Sequence, residues 1–155
     1  MSFFKDDLKN IRALLFDVDG VLSMDTSPLD ANGDPMRTAN VKDGFAIRTA
    51  IEAGLVVGVI TGGAQKSVRL RHEKLGVEWY YDNVRDKVAC LDDFVSRTGI
   101  RTEEILYMGD DLVDYHIMLK TGMATCPADA VPEIKLISRY ISDRKGGEGC
   151  VRDII

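Results

Sequence analysis

The chain has few of the residues that staple a fold or carry it into a membrane. Among 155 residues there are three cysteines, four prolines and one tryptophan. Cys90, Cys126 and Cys150 are odd in number and form no Cys-x-x-Cys pair, which argues against a disulfide framework or a zinc site. We therefore expect reduced thiols in a cytoplasmic protein. The apolar runs reach only about six residues, too few to span a membrane.

Positive charge is also scarce. Lysine and arginine number 20 against 25 aspartates and glutamates, giving a net charge of -5 and a pI near 5.0. This balance argues against a broad nucleic-acid surface. The first ten residues lack the apolar core of a signal peptide, which also favours the cytoplasm. An anionic substrate would need a metal ion or a few placed cations.

Short apolar runs alternate with helical patterns along the rest of the chain. The runs cover 11–16, 55–60, 78–81, 105–108, 123–126 and 139–142. The helical patterns cover 43–53, 64–75, 85–98 and 111–121, and a glycine follows each of them. Uninterrupted apolar strands are typical of a sheet buried on both faces. The sequence predicts an α/β fold, a doubly wound and mostly parallel sheet in a single domain, residues 1–155.

Two segments depart from this alternation. Residues 27–40 contain Asn32-Gly33, which predicts a β-hairpin inserted after the first strand. Residues 145–155 begin as a glycine-rich tail with two cations. The stretches that separate the reactive strand ends are too short to contain a cap domain, so we expect a site that is open unless another subunit covers it.

The residues that carry chemistry follow the predicted strands. Ligands bind beyond the carboxyl ends of the strands in an open α/β sheet, so this topology brings such residues to one edge. They are Asp17 and Asp19 after the first strand, Thr61, Gly62 and Gly63 after the second, Lys87 in the helix after the third, and Asp110, Asp111 and Asp114 after the fourth.

The residue types at this edge indicate phosphoryl chemistry. One carboxylate of the Asp17/Asp19 pair can attack phosphorus while the other handles protons. Clustered carboxylates need a cation, and hard oxygen ligands favour Mg²⁺. The Thr61 hydroxyl and the glycine amides after it, at a helix N-terminus, predict a phosphate cradle. Lys87 adds a point charge. Each signal alone is as typical of a turn, an N-cap or a surface lysine, but their order along the chain favours a site.

The chain resembles the haloacid dehalogenase superfamily of aspartate-dependent phosphohydrolases. The match rests on Phe16–Leu22, Val59–Gly62, Lys87 and Gly109–Asp114. The resemblance implies that Asp17 is the nucleophile and Asp19 the general acid and base, and that Thr61, Gly62 and Lys87 hold phosphate. It further implies a Mg²⁺ ion on Asp17, the Asp19 carbonyl and Asp110, with Asp111 and Asp114 in support.

Within that superfamily the chain is similar to the capless 3-deoxy-D-manno-octulosonate 8-phosphate phosphatases. The likeness rests on Asp43-Gly44, on Arg69 and Arg71, and on the tail Gly146–Arg152. It implies a Mg²⁺-dependent phosphatase of a phosphorylated sugar acid in lipopolysaccharide precursor synthesis. It also implies a homotetramer, with Arg69 and Arg152 binding substrate and the tail closing a neighbour's site. Gly63 stands where many members carry arginine, which leaves a nine-carbon, sialic-acid-type 9-phosphate as the alternative substrate.

Two readings from other classes stay open at this point. A receiver-type signalling domain also combines acidic residues, a threonine and a lysine on a doubly wound sheet, but its acceptor aspartate follows the third strand. An inactive oligomerisation module would have no need of the five residues Asp17, Asp19, Thr61, Lys87 and Asp110. Stable phosphorylation without turnover would support the first reading, and failure to hydrolyse any phosphate ester the second.

Overall fold

Strands and helices alternate along residues 2–155, the part of the chain that the computed structural model describes. Met1 of the predicted 1–155 domain lies outside the described residues. The strands are β1 Ala13–Phe16, β2 Val56–Ile60, β3 Trp79–Tyr81, β4 Ile105–Met108, β5 Met123–Cys126 and β6 Tyr140–Ile141. The helices are α1 Ser2–Leu8, α2 Val41–Glu52, α3 Lys66–Leu75, α4 Lys87–Thr98, α5 Tyr115–Lys120, α6 Pro132–Ile137 and α7 Cys150–Ile154.

The strands form one parallel sheet in the order β3-β2-β1-β4-β5-β6. β1 lies at its centre, paired with β2 through Leu15 and Gly58 and with β4 through Leu15 and Tyr107. The order reverses direction at β1, which is where an open α/β sheet leaves a crevice. The predicted doubly wound parallel sheet is confirmed.

Alternation along β1 divides the core into two layers. Leu14 and Phe16 pack on one face with residues of α2, α3 and α7, and Ala13 and Leu15 pack on the other with residues of α4, α5 and α6. The four β1 residues are all buried, which explains why the strand reads as an unbroken apolar run. Among the described helices none is long and apolar enough to cross a membrane.

Two predicted elements differ from the structure. Residues 27–40, called the reversing loop below, turn back on themselves at Gly33 but pair only at Leu29 and Pro35 rather than as two strands. Proline removes the amide that a ladder needs, and Pro28 and Pro35 flank the turn. The predicted helix 111–121 is a 3₁₀ turn, Leu112–Asp114, followed by α5. The Asp114 side chain points back to the amides before the turn and tightens it.

Candidate active site

The carboxyl ends of the central strands open into a cavity of about 730 Å³. Its charged lining comprises Asp17, Asp19, Asp25, Asp34, Asp110 and Asp111, together with Arg37, Arg85 and Lys87. The carboxylates outnumber the cations, as expected for a site that binds a metal ion before it binds an anion. The structure thus brings the predicted residues after β1, after β4 and at the start of α4 to one place.

Asp17 lies directly after β1 and is only 4% exposed. Its amide donates to the Met108 carbonyl, which ties it to β4. Its Oδ1 accepts the Val18 amide at 2.7 Å and lies 3.0 Å from the Lys87 ammonium. Burial, reinforced by the neighbouring charge of Asp114, raises the pKa of Asp17 to about 7, although Lys87 opposes the shift. Both contacts fall on Oδ1, and neither engages Oδ2.

Lys87 is the first residue of α4, and its side chain runs inward rather than into solvent. Asp86 caps the helix by accepting the Ala89 amide, which fixes the direction of the first turn. The Lys87 ammonium lies 2.8 Å from Asp114 Oδ1 and donates to the Ile60 carbonyl. Burial opposes its charge, but the carboxylates of Asp17 and Asp114 outweigh burial and raise its pKa. Lys87 therefore stays charged at the floor of the cavity.

Asp114 holds the other charged groups in place. It is fully buried, with Oδ1 accepting from Lys87 and from the Tyr107 hydroxyl at 2.7 Å. Its Oδ2 accepts the amides of Asp110 and Asp111. Because both oxygens are occupied, Asp114 supports the site rather than reaching a ligand. Sequence reasoning missed Tyr107, although a tyrosine in a buried strand needs a hydrogen-bond partner and thereby signals a polar neighbour.

Asp110 has the features of a metal ligand. One ligand oxygen each from Asp17, Asp110 and Asp114 lie within 4.8 Å of one another. Asp110 Oδ1 is buried without a hydrogen-bond partner in the described residues, which is costly for a carboxylate unless a cation binds it. Burial, with the charges of Asp17 and Asp114, raises the pKa of Asp110 to about 8. Two such carboxylates with raised pKa values fit a hard divalent cation held by Asp17 and Asp110.

Asp19 points into the cavity and is bound by a residue that sequence reasoning did not select. Arg37 from the reversing loop donates from Nε to Asp19 Oδ1 at 2.9 Å and from Nη2 to Asp19 Oδ2 at 3.0 Å. The Arg37 side chain is 10% exposed and that of Asp19 48%. One feature of the sequence could have indicated this contact: Arg37 is a cation in the insertion that follows Asp17 and Asp19.

The loop after β2 lies beside this pair. Thr61 is buried, and its hydroxyl accepts the Gly63 amide at 3.1 Å. Gly62 and Gly63 line the cavity. The predicted cradle differs in one respect: α3 begins at Lys66, so the two glycines precede the helix instead of forming its first turn.

The predicted substrate arginines lie away from the cavity within this chain. Arg69 pairs with Asp82 at 2.9 Å and stacks over the Tyr80 ring. Arg152 lies over the Phe45 ring, beside a separate surface hollow. The structure does not bring either arginine to Asp17.

The glycine-rich tail folds back on its own chain. Gly147 donates its amide to the Val21 carbonyl at 2.8 Å, and the Asn40 side chain donates to the Gly147 carbonyl. The Cys150 thiol is buried and donates to Val21 as well. Within one chain these contacts hold the tail against the loop after β1, and the closing of a neighbour's site by residues 146–152 stays a prediction.

Relatives of known description share this architecture. No family model matches the chain. The 3-deoxy-D-manno-octulosonate 8-phosphate phosphatase KdsC of Escherichia coli K12 is 36% identical over 146 residues, which cover 94% of this chain and 78% of that protein. The Moraxella catarrhalis phosphatase of the same description, solved with a magnesium ion, a phosphate ion and a KDO molecule, has a TM-score of 0.94 at 27% identity, over 99% of this chain and 88% of that one.

A Legionella pneumophila hydrolase assigned to the haloacid dehalogenase superfamily, subfamily III A, has a TM-score of 0.91 at 32% identity, over 96% of this chain and 82% of that one. Identity at this level extends over almost the whole chain, and the solved structures share its fold. The chain therefore belongs to the 3-deoxy-D-manno-octulosonate 8-phosphate phosphatase family of the haloacid dehalogenase superfamily.

Proposed function

We propose that this chain hydrolyses 3-deoxy-D-manno-octulosonate 8-phosphate in a Mg²⁺-dependent reaction, as a step in lipopolysaccharide precursor synthesis. The observation that carries the proposal is the buried Asp17 carboxylate, held through one oxygen by Lys87 and near Asp110, whose Oδ1 has no hydrogen-bond partner among the described residues. The relatives are named for this substrate, and the Moraxella catarrhalis structure contains the sugar acid, phosphate and magnesium.

The first chemical step uses Asp17 and Asp19. Asp17 Oδ2 forms a bond to phosphorus, the bond between phosphorus and the sugar oxygen breaks, and Asp19 gives its proton to that oxygen. Lys87 balances the negative charge at the floor, and the amides of the loop at Gly62, which lines the cavity, would hold the phosphoryl group. Mg²⁺ held by Asp17 and Asp110 would neutralise charge on the phosphoryl oxygens.

The second step regenerates the enzyme. A water molecule gives a proton to Asp19 as its oxygen attacks phosphorus, and the bond from phosphorus to Asp17 breaks. Asp17 returns to a carboxylate, and Asp19 has recovered the proton that it gave away. The Asp19 side chain is accessible enough to meet both the sugar oxygen and the water. Asp111 and Asp114 act by holding the β4 loop.

Release of inorganic phosphate from the eight-carbon 8-phosphate and from a nine-carbon ulosonate 9-phosphate tests the assignment. We expect kcat/KM to favour the eight-carbon ester by at least about tenfold, and EDTA to abolish both reactions. A preference for the nine-carbon ester would overturn the substrate assignment. Stable phosphorylation without turnover would favour a receiver, which the placement of the acidic cluster after β1 and β4 speaks against.

We also propose a homotetramer in the cytoplasm. Large apolar side chains stand exposed on the reversing loop and at the start of α2, namely Leu29, Met36, Val41 and Phe45. Contact with other copies would cover this surface, and in such an assembly Arg69 and Arg152 would meet substrate only across a subunit boundary. Light scattering should give four times the mass of the chain, and a monomer at micromolar concentration would contradict the proposal.

A further inference from the structure

Arg37 is held at the cavity by contacts on both sides of its guanidinium. Its Nη1 donates to the Pro35 carbonyl at 2.9 Å while Nε and Nη2 grip Asp19. Gln65 donates to the same Pro35 carbonyl at 2.8 Å, which ties the reversing loop to the loop after β2. The guanidinium is thus presented to the cavity by a small network of its own.

The space that Arg37 occupies exists because residue 63 has no side chain. A Cβ built on Gly63 would lie 2.9 Å from Arg37 Nη2 and 3.3 Å from its Cζ, both closer than ordinary contact. The Gly63 backbone has no positive φ, so its need for glycine comes from this contact alone. The reversing loop therefore places the Arg37 guanidinium directly over the loop after β2.

The charges of the cavity leave few cations for an anionic ligand. Lys87, at the cavity floor, is already engaged by the carboxylates of Asp17 and Asp114. Of the remaining lining cations, Arg85 lies on the exposed loop before α4, and Arg37 is one-tenth exposed with the Nε–Nη2 edge of its guanidinium toward Asp19. The Arg37 guanidinium already binds both oxygens of one carboxylate. It is therefore suited to bind another carboxylate in the same way.

We propose that Arg37 is the specificity-determining residue for the carboxylate of the sugar-acid substrate, exchanging its bidentate contact with Asp19 for one with that carboxylate. The exchange couples recognition to chemistry, because Asp19 becomes free to turn toward the leaving oxygen only when the substrate supplies a replacement anion. With a phosphate ester that has no second anionic group, Asp19 stays bound to Arg37. The inference rests on the proposed function for the identity of the sugar acid.

A binding experiment without turnover tests this directly. The free sugar acid 3-deoxy-D-manno-octulosonate and its neutral methyl ester are titrated calorimetrically into the protein with Mg²⁺ and inorganic phosphate. We expect the wild type to bind the acid at least about tenfold more tightly than the ester, and R37Q to reduce that ratio to within about twofold of unity. A wild type that binds neither ligand, or both equally, or an R37Q variant that keeps the ratio, overturns the proposal.

Two further arginines control for charge and position. R97Q removes an arginine paired with Asp93 on the far end of α4, outside the cavity, and should keep the acid-to-ester ratio. R85Q removes the other arginine that lines the cavity. If R85Q abolishes the ratio and R37Q does not, Arg85 is the carboxylate ligand and the proposal is wrong.

Gly63→Ala tests the geometry without changing any charge. The added methyl displaces the end of the Arg37 side chain, so G63A should lower the acid-to-ester ratio at least about threefold in the wild type and not at all in R37Q. Additive effects of the two changes would contradict the contact. Turnover of the 8-phosphate ester is measured separately: if the Arg37-dependent ratio is found but no hydrolysis, the proposed function fails while this inference stands.

Discussion

The cavity has two walls of unlike construction. The strand wall, made of Asp17, Lys87, Asp110 and Asp114, consists of side chains fixed by the ends of buried strands and by one another. The loop wall, residues 27–40, is mostly exposed and meets the rest of the chain through a few side chains such as Arg37. On our proposals, the sheet fixes the chemistry and the insertion adapts it to a particular ester.

Asp17→Asn breaks the strand wall at its reacting atom and should have the largest effect. Asparagine is nearly isosteric but cannot form the acyl phosphate, so kcat should fall by at least about 10⁴-fold, a loss typical of nucleophile removal. The fold should survive, because Lys87 keeps Asp114 as a partner. Phosphate release, with circular dichroism as the control, measures this. Activity above 1% of wild type, with deamidation excluded by mass spectrometry, would remove Asp17 from its role.

Asp114→Asn breaks the support of the strand wall. It removes a fully buried charge that faces Lys87, and breaking such a pair typically costs about 3–5 kcal/mol. Urea unfolding should show a loss in this range, with kcat also reduced because Lys87 and the β4 loop lose their anchor. Y107F is the matched variant: it removes only the hydroxyl bonded to the same carboxylate and should cost about 1 kcal/mol. Equal losses for the two variants would mean that charge is unimportant at this position.

Much of the strand wall could be predicted from the sequence. Asp17 and Asp110 each come after an unbroken apolar run, and parallel topology places such ends together whatever their separation along the chain. The place of Lys87 at this edge of the sheet could be predicted but not its burial, since nothing in its local pattern shows that the first side chain of α4 turns inward.

The loop wall could not be predicted in the same way. The reversal at Asn32-Gly33 is a local signal, but the contact of Arg37 with Asp19 depends on where the loop lies in space. The docking of the tail is also non-local. The backbone of Gly146 lies against that of Gly20, although the two residues are far apart in the sequence. Side-chain partners far apart in sequence, without a repeating period, leave no trace in a single chain.

The affinity of the strand wall for Mg²⁺ should depend on pH. The pKa values of Asp17 and Asp110 are raised from 3.8 to about 7 and about 8. The native metal-free protein therefore holds protons that the unfolded chain has lost, and its stability falls as pH rises from about 4 to about 8. Mg²⁺ competes with these protons, so its affinity should rise at least about tenfold from pH 6 to pH 8.

Thermal unfolding with and without Mg²⁺ at each pH measures this linkage without any substrate. The increase in Tm caused by Mg²⁺ should be larger at pH 8 than at pH 6. In D110N the metal loses the carboxylate whose Oδ1 has no other partner among the described residues, so both the increase and its pH dependence should shrink. A pH-independent increase in the wild type would place the ion elsewhere.

Gly146→Ala tests whether the C-terminal tail supports the site as well as the fold. A Cβ on Gly146 would lie 1.8 Å from the Gly20 carbonyl oxygen, and Gly20 directly follows Asp19 and borders Asp110. Overpacking of this kind typically costs about 1–3 kcal/mol. We expect a lower Tm together with a lower kcat, because the displaced backbone carries Asp19. A loss of stability with unchanged kcat would show that the tail supports the fold but not the site.

Gly33→Ala should have the smallest effect and isolates the loop wall. Gly33 has a φ of 83° at the tip of the reversing loop, and a Cβ there would meet nothing within 4 Å. The change thus adds backbone strain of about 1 kcal/mol without a clash. Since Gly33 itself does not line the cavity, the strain reaches Arg37 only if the loop is one rigid unit. Unfolding in urea should show the small loss, and the acid-to-ester binding ratio shows how far it spreads. An unchanged ratio means that the anchors at Pro35 and Asp19 hold Arg37 independently of the tip, whereas a reduced ratio means that specificity depends on the whole loop.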